Sequence, residues 1–167
     1  VFTHRDDPRE NLWFDSVAEL AGSLNIPAFA PDDINHPLWV ERIRRLEPDI
    51  LFSFYYRNMV APPILEIPPA GCLNLHGSLL PKYRGRAPVN WALLRGEAET
   101  GVTLHYMTPR PDDGDIVSQE RVLISEEDTA VSPHGKLAEA SAWMLDEILP
   151  RIREGKARQL EGEFPAE

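Results

Sequence analysis

Residues 73–91 have the pattern of a strand, a polar loop and the start of a helix, and this order limits the fold more than any other segment. The strand residues alternate, so the side chains of Asn74 and His76 project from the same face. Gly77 ends the alternation, and Pro88 is typical of the first residue of a helix. Open α/β sheets place their sites where a strand ends in such a loop. The segment therefore predicts both the fold class and the position of the functional site.

Helical and strand patterns alternate along the rest of the chain. Apolar residues at helical spacing predict helices, and alternating or continuous apolar runs predict strands. The predicted helices cover residues 16–24, 37–46, 64–67, 88–95 and 132–154, and the predicted strands cover 1–4, 26–30, 49–56, 73–76, 101–107 and 116–124. This alternation is typical of one α/β domain with a mostly parallel sheet flanked by helices.

The charge balance and the single cysteine restrict the class of protein. The 167 residues include 27 acidic and 17 basic side chains, and the net charge of −10 argues against a broad nucleic-acid surface. A local arginine pocket for one or two phosphates remains compatible with it. No apolar run approaches the roughly 18 residues of a membrane span, and no export leader is recognised. Since the lone Cys72 also fits a reducing compartment, a cytoplasmic protein without a membrane partner is predicted.

A carboxylate is predicted to lie close to the Asn74 amide and the His76 imidazole. Asp112 follows the strand predicted at 101–107, and a right-handed β-α-β crossover would place that strand beside the one carrying His76. A carboxylate near an imidazole favours its charged form and fixes its orientation, and an amide supplies a neutral donor to an oxyanion. Asn74, His76 and Asp112 are therefore predicted catalytic residues for acyl transfer, in which a substrate supplies the nucleophile.

Other chemistries have weaker support in the sequence. Ser78 could belong to a serine triad, but it lacks the G-x-S-x-G turn of such nucleophiles. The five histidines show no paired spacing, and with a single cysteine they predict no metal site. His105 is expected to be a half-exposed strand residue, and no glycine-rich phosphate loop is recognised.

The motif Asn74-Leu-His-Gly-Ser-Leu-Leu-Pro81, followed by Asp112-x-Gly114, resembles the signature of the folate-dependent formyltransferases. Members of that family transfer a formyl group from 10-formyltetrahydrofolate to an amine on a Rossmann-like domain. Both halves of the signature occur in order at compatible spacing. The resemblance implies an enzyme with this fold, with 10-formyltetrahydrofolate as co-substrate and without a metal.

Further motifs resemble one branch of the family. Arg84-Gly-Arg-Ala-Pro88 is similar to the methionyl-tRNA and amino-sugar formyltransferases. Residues 35–43, 52–57 and 82–91 are similar to the formyltransferase domain of the bifunctional polymyxin-resistance protein. That domain formylates UDP-4-amino-4-deoxy-L-arabinose in the lipid A modification of lipopolysaccharide, which confers antibiotic resistance. The similarity implies a nucleotide-sugar acceptor and, through a fused domain outside this chain, a homo-oligomer.

The resemblance also implies residue roles. His76 would transfer the proton, Asp112 would favour its charged form, and Asn74 would stabilise the tetrahedral intermediate. The residues implied to contact the folate are Asn58, Met59 and Val60 on one side, Thr108, Pro109, Arg110, Pro111 and Asp112 on the other, and Arg86 close to the donor.

Residues 1–155 are expected to form the catalytic domain, and residues 156–167 a tail or linker. The family fold has a strand and a helix before the segment that corresponds to Val1, so the domain is expected to be N-terminally incomplete. Two alternatives to the amino-sugar enzyme remain open. One is a methionyl-tRNA formyltransferase with the same chemistry, and the other is a non-catalytic fragment that binds folate.

Overall fold

Helices and strands alternate in the computed structural model, which describes residues 1–5, 15–129 and 131–155. The helices are α1 (Val17–Ser23), α2 (Pro37–Arg45), α3 (Pro62–Leu65), α4 (Pro88–Leu94) and α5 (Ser132–Arg153), and the strands are β1 (Leu51–Phe54), β2 (Cys72–His76), β3 (Glu99–Tyr106) and β4 (Ile116–Leu123). Each lies within or close to the range that its apolar pattern predicts. The strands predicted at 1–4 and 26–30 form a single parallel bridge between Phe2 and Phe29. The predicted tail at 156–167 lies outside the described residues.

Short polar signals set where the first two helices begin. The Ser16 hydroxyl accepts the Glu19 N–H at 3.4 Å and caps α1. At α2, Pro37 occupies the first helical turn, and Nδ1 of His36 accepts the Leu38 N–H at 3.3 Å. These caps pair backbone donors that a helix start would otherwise leave unpaired.

The four strands form one sheet in the order β1-β2-β3-β4, with helices packed on it, and the predicted α/β fold is confirmed. The sheet is mixed. The predicted parallel order occurs in the β1–β2 pair, whereas β3 is antiparallel to both β2 and β4. Between β3 and β4 the antiparallel order follows from the short connection at 107–115, because parallel strands need a crossover of a dozen or more residues.

Two apolar clusters hold the elements together. The first lies between the sheet and α5 and contains the buried residues Leu73, Leu75, Val89, Val102, Leu104, Val117, Val122, Leu137, Met144 and Ile148. The second consists of Ile34, Val40, Ile43, Val60 and Ile64, and the side chain of Met107 packs against it. The first cluster secures β2 and β3, and the second supports the loops that follow β1 and β3. None of the described helices combines the length and the apolar character that crossing a membrane requires.

Cys72 is buried, as expected for a structural thiol. Its side chain is 3% exposed, and burial raises the pKa of the thiol to about 11. Because the thiolate is the reactive species, we expect Cys72 in the folded protein to react with a disulfide reagent at pH 8 roughly 10²-fold more slowly than a free thiol. Labelling rates measured with and without denaturant test this expectation. Equal rates in the two conditions would contradict it.

Candidate active site

Asn74 projects from β2 opposite His105 of β3, because the antiparallel register pairs these two residues. Nδ1 of His105 lies 2.8 Å from the Tyr106 carbonyl oxygen, which can only accept, so Nδ1 carries the proton. Nε2 of the neutral ring then accepts from the Asn74 amide at 3.1 Å. An amide has two hydrogens. One is held by His105, and the second remains for a substrate oxygen.

His76 lies two residues further along the same face of β2. Its Nε2 is 2.9 Å from the Tyr83 carbonyl oxygen, and the ring therefore donates from this nitrogen. Nδ1 faces Oδ1 of Asp112 at 3.6 Å. The imidazole side chain is only 8% exposed, so its ring nitrogens face these two neighbours rather than bulk water.

Asp112 completes the group, and the predicted convergence of the three side chains is present. The route differs from the predicted crossover: Asp112 lies in the loop 107–115 that joins β3 to the antiparallel β4. Its backbone is left-handed, with φ of 51°. Oδ2 accepts the Gly85 N–H at 2.8 Å, while Oδ1 lies 3.5 Å from Nε2 of His105 as well as near His76. One carboxylate thus contacts two imidazoles.

The carboxylate of Asp112 is stabilised in its charged form. Burial acts to raise the pKa of Asp112. A hydrogen bond from the His105 ring in its protonated form, the Gly85 N–H and the positive charges of the two protonated imidazoles together outweigh burial and lower it. An ionised carboxylate therefore lies beside both imidazoles.

The loop 77–87 is tied to the loop 107–115 at two points. One is the Gly85–Asp112 hydrogen bond, and the other is an ion pair at 2.9 Å between Arg84 and Asp113. Ser78, which the serine-triad alternative requires as nucleophile, is fully buried, and its hydroxyl donates to the Lys82 carbonyl at 2.6 Å. It holds the loop in shape and cannot reach a substrate.

The residues implied to contact the folate occupy two neighbouring segments. Asn58 and Met59 are exposed after β1, whereas Val60 is buried in the second cluster, against which Met107 packs. The hydroxyl of Thr108 donates to the Arg110 carbonyl at 3.0 Å and accepts its N–H at 3.2 Å, which shapes the second segment. Pro109 and Pro111 are exposed, and so is Arg86 in the loop beside Gly85. The two segments therefore share an apolar base, with exposed side chains above it.

His105 is the site residue that the sequence analysis misplaced. The expectation of a half-exposed strand residue is wrong, because its side chain is 2% exposed and contacts both Asn74 and Asp112. The contact to Asn74 depends on the β2–β3 register, which has no local signature. The Tyr83 carbonyl and the Gly85 N–H were also missed, since a backbone group has no side-chain signal.

An amide donor, an imidazole and a carboxylate in one site can transfer an acyl group to a nucleophile that a substrate brings. In the part of the chain that the structure describes, no three histidine, cysteine or acidic side chains are grouped to hold a metal ion. Residues 7–149 match the formyl transferase family. The chain belongs to this family. Its members are enzymes that transfer a formyl group. The amide, imidazole and carboxylate described above are groups that such a transfer needs.

Solved structures of formyltransferases share this fold. Phosphoribosylglycinamide formyltransferase from Bacillus halodurans is 25% identical, with a TM-score of 0.70, over 96% of this chain and 79% of that one. The enzyme of that name from Anaplasma phagocytophilum is 27% identical, with a TM-score of 0.73, over 83% and 69%. The formyltransferase PseJ from Anoxybacillus kamchatkensis, in complex with UDP-4,6-dideoxy-4-formamido-L-AltNAc and tetrahydrofolate, is 25% identical, with a TM-score of 0.67, over 93% and 76%.

Gly114 gives this formyltransferase a testable packing constraint. A Cβ at Gly114 would overlap the backbone carbonyl of Tyr106 and lie 3.3 Å from Cγ2 of Thr108. Gly114→Ala should therefore displace the loop that carries Asp112. We expect formyl transfer to fall about 10²-fold, since a shift of ~1 Å in a site can cost that much.

The matched control is Gly135→Ala, because a Cβ at that position of α5 meets nothing within 4 Å. Steady-state rates and thermal melts of the two variants are compared. Equal activity of Gly114→Ala and the parent would show that the loop tolerates the added methyl group.

Proposed function

We propose that this enzyme transfers the formyl group of 10-formyltetrahydrofolate to the amine of a UDP-amino sugar, UDP-4-amino-4-deoxy-L-arabinose. The amine nitrogen attacks the formyl carbon, the bond from that carbon to N10 of the folate breaks, and tetrahydrofolate leaves. The observation that carries this proposal is the contact of Asp112 with both His76 and His105, beside the Asn74 amide.

Each side chain has one task in the proposed reaction. The second amide hydrogen of Asn74 donates to the oxygen of the tetrahedral intermediate. His76 accepts the proton that the attacking amine loses and delivers it to N10, and the Asp112 carboxylate stabilises the charged ring between these steps. Because Nε2 of His76 already carries a hydrogen that is bonded to the Tyr83 carbonyl, accepting a proton through Nε2 requires that bond to open and the ring hydrogen to lie on Nδ1, towards Asp112, instead.

A nucleotide-sugar acceptor is supported by the surface next to His76. A groove of about 500 Å³ is lined by Lys82, Tyr83, Arg84, Trp91, Arg95 and Glu97. Trp91 is half exposed, and the cationic side chains of Lys82, Arg84 and Arg95 line the groove although the chain as a whole is acidic. A diphosphate needs only one or two cations, and an exposed indole can stack on a base. The nucleotide sugar bound to PseJ gives independent support for this class of acceptor.

The alternatives concern the acceptor and the activity. Transfer RNA would require many phosphate contacts and hence a steep fall of affinity with salt, to which a net charge of −10 is poorly suited. Glycinamide ribonucleotide is a third acceptor to test, since the similarity to phosphoribosylglycinamide formyltransferases raises it. A fragment that only binds folate would show no turnover with any of the three.

A competition experiment tests the proposal. Formyl transfer is measured in one reaction that contains UDP-4-amino-4-deoxy-L-arabinose, charged initiator tRNA and glycinamide ribonucleotide, at several salt concentrations. We expect the amino sugar to be formylated in preference, with a shallow dependence on salt. Preferential formylation of either competitor would reject the proposed acceptor, and folate binding without turnover would favour the non-catalytic alternative.

Residues 1–155 are proposed to act as the catalytic domain of a larger cytoplasmic protein, with 156–167 as the tail or linker. Homo-oligomerisation through a fused domain would then be a property of that larger protein. Size-exclusion chromatography with light scattering, applied to this chain and to the larger protein, tests this assignment. A shared oligomeric state would place the interface within this chain instead.

A further inference from the structure

Asn35 joins the start of α2 to the segment after β1 through its side chain. Nδ2 donates to the Met59 carbonyl at 2.9 Å, and Oδ1 accepts the Ala61 N–H at 2.7 Å. These two bonds lie on either side of Val60. One amide thus pairs with the backbone of residues 59–61 in the way that a neighbouring strand would.

The Asn35 amide is itself held in place. Its backbone N–H donates to Oδ1 of Asp33 at 2.9 Å, and the next residue, His36, caps α2. Ile34 is 4% exposed and Val40 is 8% exposed, both within the second apolar cluster. Asn35 is therefore a fixed group on a packed support, and its side chain has little freedom to leave the segment it binds.

The segment depends on this support. Among the described residues, the Met59 carbonyl and the Ala61 N–H have no hydrogen-bond partner other than Asn35. The packing of Val60 anchors the middle of the segment, while the Met59 side chain is 52% exposed. Without Asn35, the Met59 carbonyl and the Ala61 N–H would hydrogen-bond to water instead, and the exposed side of the segment would no longer be held in one conformation.

We propose that Asn35 is a positioning residue for the formyl donor. It holds residues 58–60 in the conformation that forms one wall of the folate site, and it does so without contact with the reacting atoms. This inference rests on the proposed function and on the contact of residues 58–60 with the folate, which the family resemblance implies. A wall held in its binding conformation reduces the ordering cost of binding, so Asn35 acts on donor affinity rather than on the chemical step.

The test compares Asn35→Ala with the parent in the intact protein. Tetrahydrofolate is titrated by calorimetry, and steady-state formyl transfer is measured with each substrate varied in turn. We expect the Kd for tetrahydrofolate and the KM for the donor to rise about tenfold, as the loss of two hydrogen bonds suggests. The KM for the acceptor and kcat at saturating donor should stay within about threefold of the parent, because the groups of the chemical step are unchanged.

Two further variants sharpen the comparison. Asn90→Ala makes the same substitution at an exposed position of α4 and leaves both bonds of the bridge, so donor affinity should remain near the parent value. Asn35→Asp keeps the acceptor for the Ala61 N–H but can donate to the Met59 carbonyl only when its carboxyl is protonated. Its tetrahydrofolate affinity, relative to the parent, should therefore weaken as the pH rises from about 4 to 7.

The outcomes separate this inference from the proposed function. Unchanged tetrahydrofolate affinity in Asn35→Ala, with or without a lower melting temperature, would overturn the positioning role while the proposed reaction stands. If Asn35→Ala fails to fold, a pH-independent affinity ratio in Asn35→Asp would overturn it equally. A parent protein that binds no tetrahydrofolate would instead reject the proposed donor.

Discussion

Replacement of Asn74 by alanine is expected to lower kcat for formyl transfer by about 10²- to 10³-fold, because removal of one oxyanion donor typically costs that much. The oxyanion exists only as the reaction proceeds, so the affinity for the folate should change far less than the rate. The variant also loses the hydrogen bond to His105, which should lower the melting temperature modestly. Single-turnover rates and a tetrahydrofolate titration measure the two effects separately.

Asn90→Ala is the matched control for this result. Asn90 is exposed on α4, and the same substitution there should leave kcat unchanged. If kcat of Asn74→Ala lies within about threefold of the parent, the amide of Asn74 is not an oxyanion donor, because loss of such a donor lowers the rate by about 10²-fold or more. The role of the amide would then be limited to its contact with His105.

Asp112→Asn is expected to have an effect of similar size through a different group. It removes the negative charge that His76 and His105 share, while the amide can still occupy the same space. Acid–base assistance by a positioned side chain is worth about 10²- to 10⁴-fold, and most of it should be lost. The rate is measured across pH with Asp113→Asn as control, since that neighbouring carboxylate pairs with Arg84 instead.

The lowered pKa of Asp112 also predicts how its contribution to stability depends on pH. A carboxyl whose pKa is lower in the folded state stabilises the protein fully above its unfolded pKa, and this stabilisation is lost as the pH falls through the folded pKa. Asp112→Asn should therefore melt at a lower temperature than the parent near neutral pH, with a difference that shrinks in acid. Thermal melts as a function of pH measure it, and a difference that grows in acid would contradict the assignment.

Local patterns in the sequence determined the elements and three members of the site. Apolar periodicity located the helices and strands, because which face is buried follows from the repeat of each element. Asn74 and His76 share a face of β2 for the same reason. Asp112 was predicted from its place after the strand at 101–107, and the family resemblance added the two segments proposed to contact the folate.

Only the tertiary structure decided how these parts meet. β3 lies antiparallel to β2, and the register of this pair brings His105 against Asn74. The loop 107–115 then carries Asp112 back to both imidazoles, and the Tyr83 carbonyl occupies Nε2 of His76. Asn35 likewise has no local signature, since its partners lie 24 and 26 residues further along the chain. Contacts of this kind depend on register and loop path, which local periodicity does not specify.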